Sequence, residues 1–253
     1  MQELCSLLFE LSNEDRLNIL RELKNNPMKL SRVSERFNFT VPETARNITR
    51  LSEANLIVKD VDGYFHLTPF GEEALQLLLG FEFLSKHKKY FKTHTLSTLP
   101  SEYSMSIGAL TDSKFVNEVT TTLYNFENMM REAKEFIWVL IDQILASALP
   151  IIAEAVTRGV EFRKILPRQA DIDPNILAMT NDPVFERAAR AKKLESRYLD
   201  RVDVAIFLSE KEVAIAFQNL EGKFDFLSFR SKEESTLNWS KSLFSYYWDK
   251  AKR

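Results

Sequence analysis

The segment that most constrains what this chain can become is Thr40-Val-Pro-Glu-Thr-Ala-Arg-Asn-Ile-Thr-Arg-Leu51. Thr40 and Glu43 stand at capping-box spacing, in which a hydroxyl and a carboxylate each satisfy a free amide beside the other. Pro42 falls in the first turn, where a missing N–H costs little. A helix therefore begins here. Val41, Ala45, Ile48 and Leu51 recur at helical spacing and predict its buried side. Glu43, Arg46, Asn47 and Arg50 stand at i, i+3, i+4 and i+7 and predict its solvent side, with Thr40, Thr44 and Thr49 completing the candidate contact set.

The flanking sequence places this helix second in a tight pair. Ser12 or Asn13 caps a helix whose apolar side is Leu17, Ile19, Leu20 and Leu23, and Asn25-Asn26-Pro27 stops it. Ser31 is expected to cap a short helix carrying Val33 and Phe37, and Asn38-Phe39 forms the turn into Thr40. Two short helices with the second showing Arg, Asn and Thr outward is helix-turn-helix geometry. Arg bonds guanine bidentately and Asn bonds adenine N6 and N7, so the residue types fit a major groove. Beyond the helix, Leu56–Asp60 and Tyr64–Leu67 read as strands around the turn Val61-Asp62-Gly63. Such a hairpin is a wing, with Lys59, Tyr64 and His66 placed to reach the sugar-phosphate backbone or a minor groove.

Thr68-Pro69 opens a long helix expected to reach about Lys92. Phe70, Ala74, Leu77, Phe81, Leu84, Lys88 and Phe91 follow alternating spacings of four and three, a heptad-like seam broken at Lys88. A seam of this kind serves either the helix's own domain or a homodimer that reads two half-sites.

The net charge of −2, from 34 basic and 36 acidic residues, does not by itself favour a nucleic-acid partner. The distribution of charge matters more than its sum. From Lys24 to His66 the chain carries seven basic and five acidic residues. No apolar run approaches the roughly 20 residues of a membrane span. Cys5 is the single cysteine, so no internal disulfide or thiolate metal cluster is expected, and the expected compartment is the cytoplasm. His87 and His94 lie seven residues apart on one helical face, roughly 10 Å at 1.5 Å per residue, too far to share a metal. No cofactor is expected.

The second half alternates strand and helix patterns. Val116–Ala133 reads as a helix, Phe136–Ile141 as a strand buried on both faces, a helix from about Ile144 ends at Gly159, and Val160–Leu166 is the next strand. This β-α-β order predicts a parallel pair. A helix over Pro183–Lys193 and strands at 195–199, 203–209, 212–218 and 224–229 follow, and a helix from about Glu233 to Lys250 closes the chain. The expected fold class is α+β: a winged helix-turn-helix over 1–94, a connection over 95–112 and an α/β domain with a mixed sheet over 113–253. Asp142, Arg168, Asp171 and Asp173 fall at or after strand C-termini, where open α/β sheets hold ligands, and are the candidate small-molecule effector contacts.

The runs Leu11-Ser-Asn-Glu-Asp-Arg-Leu-Asn-Ile-Leu20, Leu51-Ser-Glu-Ala-Asn-Leu-Ile57 and Leu67-Thr-Pro-Phe-Gly71 resemble archaeal winged-helix transcriptional regulators of the ArsR-like type. The whole chain resembles the methanogenesis-regulatory-protein family, and its second half resembles the phospholipase-D-like α/β fold. The resemblance implies a regulator that binds double-stranded DNA. Thiolate metal sensing, as in cysteine-bearing ArsR-like proteins, is not implied here, because only Cys5 is present. Phospholipase-D-like catalysis requires an H-x-K-x4-D motif. His66, His87 and His94 all precede the second domain, so that domain is expected to be a non-catalytic sensor or dimerisation module rather than an enzyme. The competing readings are a winged helix that binds protein instead of DNA, and a phospholipase-D-like hydrolase.

Overall fold

Local chemistry starts and stops the N-terminal helices. In the computed structural model, which describes residues 1–169 and 174–253, α1 (Gln2–Leu11) leads into α2 (Glu14–Asn25). The Asn13 side chain accepts from the Arg16 N–H at 3.0 Å and caps α2. Next come α3 (Leu30–Phe37) and α4 (Val41–Glu53). Ser31 does not cap α3 as expected; the helix starts two residues earlier, with Lys29 at the cap position and no side-chain bond. Asn38 ends α3 in the left-handed region, at φ 54°. Strands β1 (Ile57–Lys59) and β2 (Phe65–Leu67) then pair antiparallel, Val58 opposite His66. Met28 exchanges backbone hydrogen bonds with Phe65 and adds a short third segment to the hairpin. Helix α5 (Pro69–Lys86) follows, its first turn held by the Gly71 N–H donating to Thr68 Oγ1 at 2.9 Å. Ile19, Leu20, Leu23, Val33, Leu51 and Leu56 are the centre of this unit's core.

The chain is α+β and divides into two compact units, Met1–Phe81 and Glu82–Arg253. This replaces the connection expected over 95–112. Helix α5 ends at Lys86 rather than near Lys92, and the chain turns into a short 3-10 segment at Tyr90–Lys92. Phe83, Tyr90, Leu99, Tyr103, Ile107 and Leu110 are all buried in the second unit's core. The aromatic content of this stretch decides the matter: Phe83 and Tyr90 each pack about 5 Å, ring to ring, from Phe229. A segment rich in Ser and Thr can still be core when its aromatic residues face inward.

The second unit contains α6 (Ser101–Met105), β3 (Lys114–Val116), α7 (Val119–Glu132), β4 (Phe136–Leu140), α8 (Ala148–Thr157), β5 (Glu161–Pro167), α9 (Pro174–Met179), α10 (Pro183–Arg190), β6 (Leu194–Leu199), β7 (Val204–Ser209), β8 (Val213–Phe217), β9 (Ser228–Ser231) and α11 (Glu234–Lys250). Its seven strands are ordered β3-β9-β8-β7-β4-β5-β6. The expected parallel pair is present, with Trp138 opposite Arg163, and β6 extends it. Gly159, at φ 91°, closes α8 as the sequence predicts. Strand β9 starts later than the expected Phe224, because Phe226 is left-handed at φ 61° and the Asp225 carboxylate accepts from the Leu227 N–H, which makes a turn of that stretch.

Both faces of the sheet are covered. On β4, Ile137 and Val139 face a layer built by α7, α8 and α10, while Leu140 faces a layer built by α11 and the aromatic segment. The period of two extends to β5, where Phe162 and Leu166 join the first layer and Ile165 the second.

Candidate nucleic-acid interface

Helix α4 has the predicted start. The Glu43 N–H donates to Thr40 Oγ1 and the Thr40 N–H to Glu43 Oε2, each at 3.4 Å. Its orientation is not the predicted one. The buried stripe is Thr44, Asn47, Ile48 and Leu51, whereas Val41 is 64 % exposed. The sequence pattern placed the apolar stripe about one residue position away, on Val41, Ala45, Ile48 and Leu51. Tertiary packing rotates the helix because α4 contacts α2, α3 and β1 at once. Thr44 is fully buried and its hydroxyl donates back to the Thr40 carbonyl at 2.9 Å. Asn47 is buried and its amide nitrogen has no hydrogen-bond partner among the described residues. Thr44 and Asn47 are therefore removed from the candidate contact set by burial.

What remains outward is Thr40, Arg46 and Thr49, with Glu43 half-buried beside them. Arg46 is exposed and makes no ion pair among the described residues. Arg50 is half-buried and committed. Its Nη2 and Nε donate to the two carboxylate oxygens of Glu10 at 2.6 and 3.0 Å, a bidentate pair, and its guanidinium lies over the Phe9 ring. Glu10 is buried and also pairs with Arg16 at 3.0 Å. The Arg50 hydrogen bonds are the main reason the Glu10 carboxyl is held below the ordinary glutamate range. No local pattern signals this pair, whose members are 40 residues apart.

The hairpin is organised by Asp60. One carboxylate oxygen accepts from the N–H groups of Asp62 and Tyr64 at 3.0 and 2.8 Å, and the other bonds His66 Nε2 at 2.7 Å. These bonds, His66 first, hold the Asp60 carboxyl below its ordinary value. Gly63 supplies the positive φ, 86°, that the turn requires. Lys59 is exposed, and Tyr64 carries Lys29 over its ring at 4.8 Å. Of the three candidate hairpin residues, Lys59 and Tyr64 are exposed, whereas His66 is half-buried and engaged by Asp60.

Of the candidate effector residues, Asp142 and Arg168 are described, and they follow the C-terminal ends of the neighbouring parallel strands β4 and β5. Arg168 is exposed and pairs with Asp200 at 3.3 Å. Asp142 is half-buried, with one carboxylate oxygen lacking a partner, and burial raises its pKa. Asp171 and Asp173 lie outside the described residues. Neither Asp142 nor Arg168 lines the cavity of about 430 Å³ beside the parallel strands, which is bounded instead by residues such as Gln143, Leu149, Phe162, Lys164, Ser196 and Phe207. His87 and His94, in the same unit, are packed among aromatic rings, His87 on Phe229 and His94 on Tyr90. No helix among the described residues is long and apolar enough to cross a membrane.

No family model matches the chain, and no curated protein matches it. Solved structures do. TrmBL2, described as an archaeal chromatin protein with a novel mode of DNA binding, is 18 % identical, with 90 % of this chain and 88 % of that one covered, at a TM-score of 0.44. The phospholipase D family member Nuc from Salmonella typhimurium is 10 % identical over 56 % of this chain and 95 % of its own, at a TM-score of 0.41. NucT from Helicobacter pylori is 11 % identical over 55 % and 96 %, at a TM-score of 0.42.

Proposed function

We propose that this chain is a DNA-binding transcriptional regulator whose first unit is a winged helix-turn-helix that reads double-stranded DNA with α4 and the β1–β2 hairpin. One observation carries the reading: a capped helix, second in a tight helical pair, shows an unpaired Arg46 and Thr49 to solvent and is followed at once by a hairpin bearing an exposed Lys59. Arg46 is the base-reading candidate and Lys59 a phosphate contact. Arg50 is secondary, because DNA must compete for it with Glu10. The active form is a homodimer. Phe70, Leu77 and Phe81 lie along one side of α5 and are 45, 74 and 69 % exposed, an apolar stripe suited to a second copy. The second unit is a non-enzymatic effector-sensing module: of its two buried histidines, His87 and His94, neither starts an H-x-K-x4-D motif, since His87-Lys-Lys89 is followed after four residues by His94 where that motif needs Asp.

The test is selection of bound genomic fragments by the purified protein at two salt concentrations, followed by Arg46→Ala. A recurring site that survives the higher salt, and whose binding weakens by roughly tenfold or more in the variant, is expected. Binding with no preferred sequence, or binding indifferent to Arg46→Ala, would overturn the groove-reading model and favour a protein partner for the same face.

A further inference from the structure

The second unit holds a cavity beside its parallel strands. It lies on the sheet face covered by α7, α8 and α10 and opens to solvent on one side. At about 430 Å³ it falls within the range of small-molecule sites. A liquid water occupies about 30 Å³, so there is room for on the order of ten to fifteen non-hydrogen atoms. Val139, Ile141, Leu149, Ile152, Phe162 and Phe207 make the wall apolar. Among the polar lining residues, Lys164 is the cation. Lys164 sits between Phe162 and Leu166 on the inward-facing rank of β5, where the period of two calls for an apolar residue.

Lys164 is half-buried and has no hydrogen-bond or ion-pair partner among the described residues. Its neighbours across the strands are Val139 and Ser196, neither of them charged. Burial lowers its pKa, which agrees with an amine lacking a counter-charge. The acidic residues of the lining are already engaged, Glu186 by Arg190 and Asp182 by the Val184 N–H that it caps. Ser196 and Gln143 supply neutral hydrogen-bonding groups to the same lining.

We infer that the cavity binds a small monocarboxylate with an apolar body, the carboxylate paired with Lys164 and the body packed against Leu149, Ile152 and Phe207. The anion pairs with a half-buried cation that has no partner among the described residues, and the apolar body fills the cavity. As the effector site of the proposed regulator it rests on that reading; as a binding site it does not, and titration without DNA tests it separately.

The experiment is calorimetric titration of the full chain with octanoate and, in parallel, with 1-octanol, which keeps the apolar body and removes the charge. One octanoate per chain is expected, bound at least tenfold more tightly than octanol. Lys164→Met should erase that difference and Lys164→Arg should retain it, with thermal melts confirming that both variants fold. Absence of octanoate binding, equal affinity for octanol, or undiminished binding by a folded Lys164→Met would each overturn the proposal. The comparison of the two probes on the unmodified chain decides the matter even if Lys164→Met does not fold.

Discussion

Glu10 is the hub of a three-residue charge cluster, and replacing it with alanine tests how much that cluster stabilises the first unit. Two cations depend on it: Arg16, buried at 6 % exposure, and Arg50, whose side chain is 40 % exposed. Removing one partner of a buried ion pair costs about 3–5 kcal/mol, because the other charge is stranded. Arg16 is only partly stranded, since its guanidinium also donates to the carbonyls of Phe9 and Glu10 at 2.9 and 3.0 Å. Arg50 regains water. The expected loss is therefore at the lower end, roughly 2–3 kcal/mol. For a unit of 81 residues each kcal/mol moves the melting point by about 4–8 °C, so Glu10→Ala should melt on the order of 10–20 °C lower. Trp138, Trp239 and Trp248 all lie in the second unit, so tryptophan fluorescence reports on that unit instead. The assay is far-ultraviolet circular dichroism of the full chain, with amide hydrogen exchange to localise the loss to α1, α2 and α4. Arg50→Ala, which leaves the Arg16 contact intact, should cost clearly less. If Glu10→Ala melts within about 2 °C of the parent, or if the two variants lose equal stability, the buried hub is refuted.

Three further outcomes follow from the same geometry. Because the folded Glu10 carboxyl has a lower pKa than the unfolded one, its contribution is full above about 4.5 and is lost as pH falls through the lowered folded value, so Glu10→Gln should lower the first unit's stability most at neutral pH and least in acid, which flattens the acid limb of its stability profile. Gly71→Ala would place a Cβ 2.1 Å from the Leu56 carbonyl oxygen, a backbone atom that cannot swing away; the overlap should cost about 1–3 kcal/mol or more, outweighing a gain of roughly 1 kcal/mol in helix propensity, and a denaturant midpoint higher than the parent's would contradict it. Leu77→Glu, on the exposed stripe of α5, should shift the chain from dimer to monomer in sedimentation velocity without lowering its melting point, and an unchanged mass would dissociate α5 from dimerisation.

What was legible in the sequence was local. The capping box at Thr40 and Glu43, the Asn13 cap, the left-handed Asn38 turn, the Gly63 hairpin and the Gly159 helix end each involve residues within a few positions of one another, so their chemistry acts before any tertiary contact forms. The parallel β4–β5 pair was legible because a continuous apolar run can be buried only between two layers. The side of α4 that faces water was not legible. A period of 3.6 residues specifies that a stripe exists, but its position is set by which neighbours close on the helix, and these turned Thr44 and Asn47 inward. The Glu10–Arg50 pair, the capture of Phe83 to Leu110 by the second core, and the cavity at Lys164 share that origin. Sequence sets the chemistry and the alternation of each segment; only the tertiary structure brings distant segments together, and with them the charge that is clamped, the charge that is free and the space that is left unfilled.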